Sequence, residues 1–302
     1  LEEGYDIEYS ESLRTIKSKD ENGNEIEEES YTMSDFYLNR EFSDSELRLL
    51  IDGLLFSKHI PSGQCKRLVE KLEGLSNVYF KSRIKHIATF PQDLCDNKQL
   101  FYNIEILDEA ITKKRKVTFK YLEYGTDKEM HRRKRPDGTE RVYTVNPYQM
   151  AAKEGKYYLI CNYDKYDDIS NYRLDRICDI EMSDEPVKPF ECLPWSCGAA
   201  LDLHRYMTEH IYMYSSGNAQ VEFRITRAMI SDVIDMFGKD VRFSDETESY
   251  VTVSANVNEL AMEQFARRFA PDVIVLEPKE LADKVRTQLE KALKIYDEEN
   301  VK

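Results

Sequence analysis

The chain has 302 residues, of which 41% are hydrophobic, and is therefore long enough for two or three domains with real cores. Its formal net charge of −14 argues against a protein that binds nucleic acid over its whole surface. No apolar run approaches the roughly 20 residues of a membrane span, and six scattered cysteines fit reduced thiols, so we expect a cytoplasmic protein.

Residues 1–40 have the pattern of β structure. Aromatic and aliphatic residues alternate with polar ones from Tyr5 onwards, and Asn22-Gly23 is a strong hairpin turn signal. The tip, residues 20–29, is acidic and therefore a poor phosphate site. Because the first residue is Leu1 rather than Met, we expect the natural chain to begin upstream.

The pattern over residues 41–114 predicts a helical linker. Ser43 and Glu46 have the spacing of a capping box at the start of the first helix. Two more helices are predicted at 64–72 and 101–114 from their apolar periodicity. Such helices form either core or a dimer interface, and we favour a linker that helps to pair two protomers.

Short alternating runs joined by tight turns follow, which is the pattern of a small antiparallel barrel. The first strand is predicted at 116–124, and a hairpin turn is predicted at Gly155. On the strand after this turn, Leu159 and Cys161 share one face, and Tyr158 and Ile160 share the other. We expect one face to line the barrel core and the other to be available for contacts.

A basic segment lies within this region. Residues 113–141 contain 11 Lys or Arg and 5 Asp or Glu, a local net charge of +6. Its densest part is the run His131, Arg132, Arg133, Lys134 and Arg135. Such a patch can hold phosphates on an otherwise acidic protein. A solvated hairpin tip fits the pattern equally well.

The segment 191–218 is predicted to be a connector with one helix. Cys192, Cys197, His204 and His210 invite a zinc interpretation, but their spacings match neither a two-Cys, two-His finger nor a CxxC knuckle. Free thiols in a packed loop, with the histidines on a helix side, fit better. We therefore predict no metal site and no cofactor.

From Ala219 the order of predicted elements is β-α-β-β-α-β-α, and Gly238 ends the first of these helices well. This order predicts a ferredoxin-like α+β domain.

Three separated pieces of sequence resemble the WYL domain: NPY, GKYYL and YRLDRI, with Tyr157-Tyr158-Leu159 standing where the family has Trp-Tyr-Leu. The resemblance implies a small Sm-like or SH3-like β-barrel that senses a ligand, usually within a bacterial transcriptional regulator. GYDIEYSE and the segment that follows resemble the wing and linker of winged helix-turn-helix regulators with WYL domains. The C-terminal segment, with its VLEPKEL run, resembles the extension that follows WYL domains.

These patterns and resemblances together predict an α+β chain. Its predicted parts are a wing remnant at 1–40, a helical linker at 41–114, a WYL β-barrel at 115–190, a connector at 191–218 and a ferredoxin-like extension at 219–302. The resemblance also implies that the DNA-reading helix lies upstream of this chain.

A ligand site is predicted around two arginines, because Arg173 and Arg176 can bind phosphate or carboxylate bidentately. They converge only if the chain bends at Leu174-Asp175, and the alternative is that Arg176 pairs with a carboxylate such as Asp179. Tyrosine rings and amides nearby offer stacking and hydrogen bonds. With the positions that the resemblance implies, the predicted ligand residues are Tyr121, Tyr148, Gln149, Tyr158, Arg173 and Arg176.

We therefore expect a ligand-responsive transcriptional regulator, dimeric, that responds to a nucleotide-like or oligonucleotide effector and binds DNA through the upstream helix-turn-helix. An accessory protein that binds RNA or single-stranded DNA without an operator is the alternative. The chain contains no GxxxxGK[ST], GxGxxG, HExxH or GxSxG motif. We accordingly expect no enzyme, although an enzyme acting on nucleic-acid fragments is a third hypothesis.

Overall fold

The computed structural model describes residues 7–19, 25–38, 41–57, 60–76, 97–196, 198–215 and 217–299. The chain divides into two compact units, Leu1–Leu94 and Cys95–Lys302. The finer domain boundaries predicted from the sequence stay predictions. Within the described residues, no helix has both the length and the apolar character needed to cross a membrane.

The first unit begins with a two-stranded antiparallel ribbon of β1 (Ile7–Lys19) and β2 (Glu25–Leu38). The predicted strands are therefore present. Tyr5 and the predicted Asn22-Gly23 turn lie outside the described residues.

Two helices follow in the same unit, α1 (Asp44–Phe56) and α2 (Ser62–Glu73). The predicted capping box is confirmed: the Glu46 backbone N–H donates to Ser43 Oγ at 3.3 Å, and the Ser43 N–H donates to the Glu46 carboxylate at 2.8 Å. A small apolar core forms where Leu47 and Ile51 pack against Cys65 and Val69. The predicted pairing of protomers through this region stays a prediction.

The second unit begins with α3 (Leu100–Lys113), which precedes a curved antiparallel sheet. The strands of this sheet are β3 (Arg115–Tyr124), β4 (Met130–Arg132), β5 (Val142–Lys153), β6 (Lys156–Asn162), β7 (Ile169–Arg173) and β8 (Ile177–Pro186). β3 pairs with β4, β5 and β8, and the ladder continues from β5 through β6 to β7.

The sheet is not closed into a barrel by hydrogen bonds, because no ladder in this part of the chain pairs β7 with β8. These two edge strands are joined instead by a single turn of 3₁₀-helix, Leu174–Arg176. The predicted Sm-like or SH3-like strands are present, and the correction concerns closure alone. The physical reason is that a helical turn takes the place of the extended residues that would complete the ladder.

Aromatic rings fill the concave side of the sheet. Phe119 and Tyr121 of β3 are buried, as their alternation with polar residues predicts. Phe119 stacks on Tyr143 with ring centroids 5.5 Å apart, and Tyr172 meets Phe119 edge-on at 5.3 Å. Offset and edge-on contacts between rings stabilise such a core beyond the area they bury.

One face of β6, the face that carries Tyr158 and Ile160, differs from the prediction because it is not free for contacts. Leu159 and Cys161 are fully buried in the sheet's interior, and Ile160 on the opposite face is fully buried as well. Ile160 and Tyr158 pack against the connector, whose helix α4 (Leu203–Glu209) covers this face. The second face is therefore largely covered by the connector, because burying its apolar side chains away from water lowers the free energy of the folded protein.

The C-terminal part of the second unit is a four-stranded antiparallel sheet in the order β10-β11-β9-β12. Its elements in chain order are β9 (Asn218–Thr226), α5 (Ile230–Phe237), β10 (Arg242–Ser244), β11 (Tyr250–Asn258), α6 (Glu259–Arg268), β12 (Val273–Glu277) and α7 (Lys279–Glu299). Gly238, at φ 83°, ends α5 as predicted. Element order and sheet order together confirm the predicted ferredoxin-like domain.

Candidate ligand site around the arginine turn

The bend that the two arginines require is present. β7 ends at Arg173, residues 174–176 form one turn of 3₁₀-helix, and β8 starts at Ile177. Because of this turn, Arg173 and Arg176 do not alternate across a straight strand. We call residues 173–177 the arginine turn.

Arg173 is already paired with an internal acid. Its Nε and Nη2 donate to the two carboxylate oxygens of Asp175 at 3.0 and 2.5 Å. The Asp175 side chain is fully buried, whereas that of Arg173 is 20% exposed. Burial lowers the pKa of Arg173, but the Asp175 carboxylate outweighs it and holds that pKa above its usual value. Arg173 therefore stays charged, with part of its bonding capacity in use.

Arg176 is in the opposite situation. Its guanidinium carbon lies 5.8 Å from the centroid of the Tyr124 ring, and its Nε is buried with no hydrogen-bond partner among the described residues. The alternative pairing with Asp179 is not formed. Asp179 binds Lys120 at 3.3 Å and Arg132 at 2.8 Å instead.

Tyr121 links the two arginines. Its ring is 7% exposed, and its hydroxyl accepts the backbone N–H of Arg173 at 3.2 Å. Burial raises the pKa of Tyr121, while that hydrogen bond and the charges of Arg176 and Arg173 act in the opposite direction. The phenol therefore lies in the positive field of the turn.

Tyr158 lies beside Arg173, because the two residues are opposite each other in the β6–β7 ladder. Burial raises the pKa of the Tyr158 hydroxyl, and the Arg173 charge partly offsets this. Three of the predicted residues, Tyr121, Tyr158 and Arg173, are thus brought together with Arg176.

Tyr148 and Gln149 take other positions. The Tyr148 hydroxyl donates to the Lys188 carbonyl at 3.0 Å, and its ring meets Phe190 edge-on with centroids 5.3 Å apart. Gln149 is exposed and lies opposite Ile160, directly after an irregularity in the β5–β6 register. The structure does not bring either residue to the arginine turn, and their roles in ligand binding stay predictions.

The basic run at 131–135 is largely paired with acids of its own unit. His131 contacts Asp127 at 2.7 Å, Arg132 binds Glu140 as well as Asp179, and Arg133 binds Glu123 at 2.7 Å. Lys134 and Arg135 are exposed and have no carboxylate within ion-pair distance among the described residues. Two of the five residues in the run, Lys134 and Arg135, are therefore available to bind phosphates.

Arg133 also belongs to the ligand site. Its guanidinium carbon lies 5.5 Å from the centroid of the Tyr121 ring. Glu123 and the Tyr143 hydroxyl raise its pKa, so it is a fixed positive charge. The sequence placed Arg133 in a separate nucleic-acid patch, and its contact with Tyr121 was not predicted.

Sequence reasoning also missed two asparagines. Asn97 and Asn103 donate side-chain hydrogen bonds to the carbonyls of Leu174, Asp175 and Ile177 in the arginine turn. Asn103 lies within a helix that the sequence did predict. Its chemistry could not be recognised there, because its partners are more than 70 residues away in the chain.

No group of three or more His, Cys, Asp or Glu residues in the described parts of the chain is arranged to hold a metal ion. Among the residues considered for zinc, His210 is buried and stacks on Tyr206 with ring centroids 3.9 Å apart. Cys192 is exposed, and Cys197 lies outside the described residues.

Comparisons with known proteins identify two domains. Residues 102–182 match the model of the WYL domain, and residues 218–293 match that of the WCX domain. No curated protein matches the chain.

The solved structures that are similar to the chain include the following two. Proteasome accessory factor B/C (PafBC) of Arthrobacter aurescens is 19% identical with a TM-score of 0.30, over 88% of this chain and 38% of that one. A CRISPR Cas-related protein is 14% identical with a TM-score of 0.39, over 86% of this chain and 76% of that one. The chain thus spans little more than a third of the PafBC chain's length.

Proposed function

We propose that this chain, which carries a WYL domain followed by a WCX domain, belongs to a bacterial ligand-responsive transcriptional regulator. Its WYL domain would sense a nucleotide-like or oligonucleotide effector at the arginine turn. The proposal includes an upstream helix-turn-helix that binds DNA, which the wing-like pattern of residues 1–40 supports. It also includes a homodimer in the cytoplasm.

The observation that carries the sensor role is the buried Nε of Arg176, a cationic donor without a partner among the described residues. An unpaired buried donor costs about 1–3 kcal/mol, and more when it is charged. A ligand that brings an acceptor oxygen to Arg176 recovers that free energy. Arg173, by contrast, is held in place by Asp175.

A second buried polar atom points the same way. The Tyr143 hydroxyl, on a residue that is 2% exposed, has no acceptor for its O–H among the described residues, because the Arg133 guanidinium beside it is itself a donor. Its ring lies next to that of Tyr121, with centroids 6.2 Å apart. A guanidinium Nε and a phenol O–H that both lack acceptors suit a ligand with several oxygens, such as a phosphate ester.

The aromatic surroundings favour a nucleotide over inorganic phosphate. Tyr124, whose ring is beneath Arg176, is 45% exposed and offers area on which a base can stack. Base stacking on an aromatic side chain is worth about 1–3 kcal/mol and tolerates any base. The site therefore combines a phosphate-binding cation with a stacking surface.

The sensor site is tested with Arg176→Ala, because Arg176 has no carboxylate partner among the described residues that the substitution would leave unpaired. Arg224→Ala is the matched control: its guanidinium lies 5.1 Å from the Tyr250 ring in the WCX domain. Fluorescence anisotropy with a short single-stranded DNA and with nucleoside monophosphates measures affinity. We expect Arg176→Ala to weaken binding by about tenfold, the effect of one charge-assisted hydrogen bond, and Arg224→Ala to leave it unchanged.

If the Arg176→Ala variant binds these ligands with wild-type affinity, the proposed sensor site is wrong. At the level of regulation, an Arg173→Ala/Arg176→Ala protein that includes the upstream helix-turn-helix should lose its effector response in an operator-binding assay. An unchanged response would contradict the proposal.

The alternative function is an RNA- or single-stranded-DNA-binding accessory protein without operator binding. The exposed Lys134 and Arg135 favour it, because they have no carboxylate partner among the described residues. The coding sequence upstream of Leu1 distinguishes the two: a complete helix-turn-helix supports the regulator, and an initiator Met near Leu1 supports the accessory protein.

In both proposals the chain acts by binding and not by catalysis. Incubation with labelled oligonucleotides and Mg²⁺ or Mn²⁺ tests this. Cleavage products above background would contradict it.

A further inference from the structure

We infer that Asn97 and Asn103 are positioning residues that hold the arginine turn against α3, so that a ligand bound at the turn changes the stability of α3. The positioning role stands on geometry alone. The response to a ligand rests on the proposed function.

The two asparagines donate hydrogen bonds to three backbone carbonyls of the arginine turn. Asn97 Nδ2 donates to the carbonyls of Asp175 and Ile177 at 3.1 and 2.6 Å. Asn103 Nδ2 donates to the Ile177 carbonyl at 2.7 Å and, more weakly, to that of Leu174 at 3.4 Å. The backbone that carries Arg173 and Arg176 is therefore fixed by side chains from outside the sheet.

These hydrogen bonds contribute to stability because both asparagines are buried. Asn103 is fully buried and Asn97 is 7% exposed. Backbone carbonyls that lose their donors in a buried position keep the cost of their desolvation. The turn can therefore leave its position only if α3 follows it or if these bonds break.

The first turn of α3 is tied to the same region through a third residue. Asn97 Oδ1 accepts the Gln99 backbone N–H at 3.0 Å, and Gln99 Oε1 accepts the backbone N–H of Asp179 in β8 at 3.1 Å. The helix start, residues 174–177 of the arginine turn and the Asp179 backbone thus form one hydrogen-bonded group.

One atom of this group is left over. Asn103 Oδ1 is buried and has no hydrogen-bond partner among the described residues, as is also true of Arg176 Nε on the turn. The contact therefore contains an acceptor on the helix side and a donor on the turn side that are both unsatisfied. Each of these groups carries the cost of an unmade hydrogen bond, so a ligand that supplies a partner changes the stability of the contact.

The consequence concerns α3, which is the first described helix of the second unit. A ligand that binds Arg176 restrains the turn, and the asparagine bonds pass that restraint to the helix start. This is the physical link that a regulator needs between its sensor and the rest of its chain.

Hydrogen exchange of the ligand-free protein tests the positioning role. Asn97→Ala and Asn103→Ala should each speed exchange about tenfold both at 174–179 and at the start of α3, the equivalent of about 1.4 kcal/mol. Asn162→Ala is the matched control, because Asn162 is also fully buried and also donates to two carbonyls, those of Tyr166 and Asp168. It should speed exchange only at 163–169.

Unchanged exchange at the turn in both variants would overturn the inference, whether or not any ligand binds. If Asn103→Ala does not fold, Asn97→Ala decides, since Asn97 precedes the helix and is less completely buried.

A second measurement adds a short single-stranded DNA. In the wild type, and in Asn162→Ala, exchange should slow at both the turn and the start of α3. In Asn97→Ala it should slow at the turn alone. Slowing at the turn without any at α3 in the wild type would overturn the coupling and leave the sensor intact. If the wild-type protein binds no oligonucleotide, the proposed sensor function is wrong. The hydrogen exchange of the ligand-free variants still tests the positioning role of the two asparagines.

Discussion

Arg133 lies over the ring of Tyr121, with its guanidinium carbon 5.5 Å from the ring centroid, and its backbone N–H donates to the Tyr121 carbonyl at 2.8 Å. The basic hairpin and the arginine turn therefore meet at one tyrosine. Tyr121 thus contacts residues of both sites that were predicted separately from the sequence, and under the proposed function the two form one basic surface.

The Tyr121 hydroxyl is the first part of this surface to test. Tyr121→Phe removes the acceptor of the Arg173 N–H, so we expect a loss of about 1 kcal/mol in the free energy of unfolding. We also expect several-fold weaker binding of a short single-stranded DNA, because the turn is less well fixed. Urea denaturation and fluorescence anisotropy measure the two effects.

Tyr206→Phe serves as the control for that substitution. It removes the hydrogen bond between the Tyr206 hydroxyl and the Asn171 side chain and should cost similar stability. It should leave oligonucleotide binding unchanged. Equal loss of binding in both variants would show that the effect comes from stability and not from the position of Tyr121.

The Arg173–Asp175 pair makes a different prediction. Arg173→Ala leaves a fully buried carboxylate without its partner, which typically costs about 3–5 kcal/mol. The double variant Arg173→Ala/Asp175→Asn should recover much of this loss, because the uncompensated charge is gone. A double-mutant cycle in urea measures the coupling. An Arg173→Ala protein as stable as the wild type would contradict the buried ion pair.

The salt dependence of oligonucleotide binding separates the available cations from the paired ones. Replacing both Lys134 and Arg135 with Ala should reduce the slope of log K against log salt by roughly 1.4, since each phosphate contact to a single strand contributes about 0.7. Arg132→Ala should change the slope little, because Glu140 and Asp179 already hold its guanidinium. Equal changes in the two variants would refute this assignment.

Local patterns predicted the local parts of this structure well. The capping box at Ser43 and the ferredoxin-like order of the C-terminal domain follow from periodicity and turn residues, which depend on near neighbours in the chain. The bend at Leu174-Asp175 was anticipated because two arginines three residues apart require it if they are to share a site.

Contacts between distant segments were beyond such patterns. Nothing near Asn103 in the sequence marks its bonds to residues 74 positions further along, and Arg133 carries no sign of its contact with Tyr121. The second face of β6 was misjudged for the same reason. Its cover comes from the connector, whose apolar residues have no local signature that assigns them to Ile160.

His210 gives the chain a predicted sensitivity to acid. The residue is 5% exposed, and burial lowers the pKa of its imidazole to about 4 although its Nδ1 contacts the Tyr206 carbonyl. The charge of Lys153, which donates to the His210 carbonyl, also lowers the pKa of the imidazole, whereas the Glu209 carboxylate raises it. The ring is therefore neutral in the folded protein at neutral pH.

The sign of the effect follows from linkage. In the unfolded chain His210 has a pKa near 6.5, so below that pH it binds a proton that it does not bind in the folded protein. The free energy of unfolding is therefore highest above about pH 6.5 and decreases as the pH falls towards 4. Between about pH 8 and pH 5 this single group should cost roughly 2 kcal/mol of unfolding free energy. His210→Phe keeps a ring against Tyr206 and removes the proton-binding group.

Urea denaturation at the two pH values measures the effect as the difference between wild type and His210→Phe. We expect the variant to lose roughly 2 kcal/mol less than the wild type on acidification. His204→Phe is the control, because it removes a histidine from an exposed position on α4, the helix that ends just before His210. If wild type and His210→Phe lose equal stability between the two pH values, His210 is not the acid-sensitive group, and the packing of the connector against β6 does not depend on its neutral form.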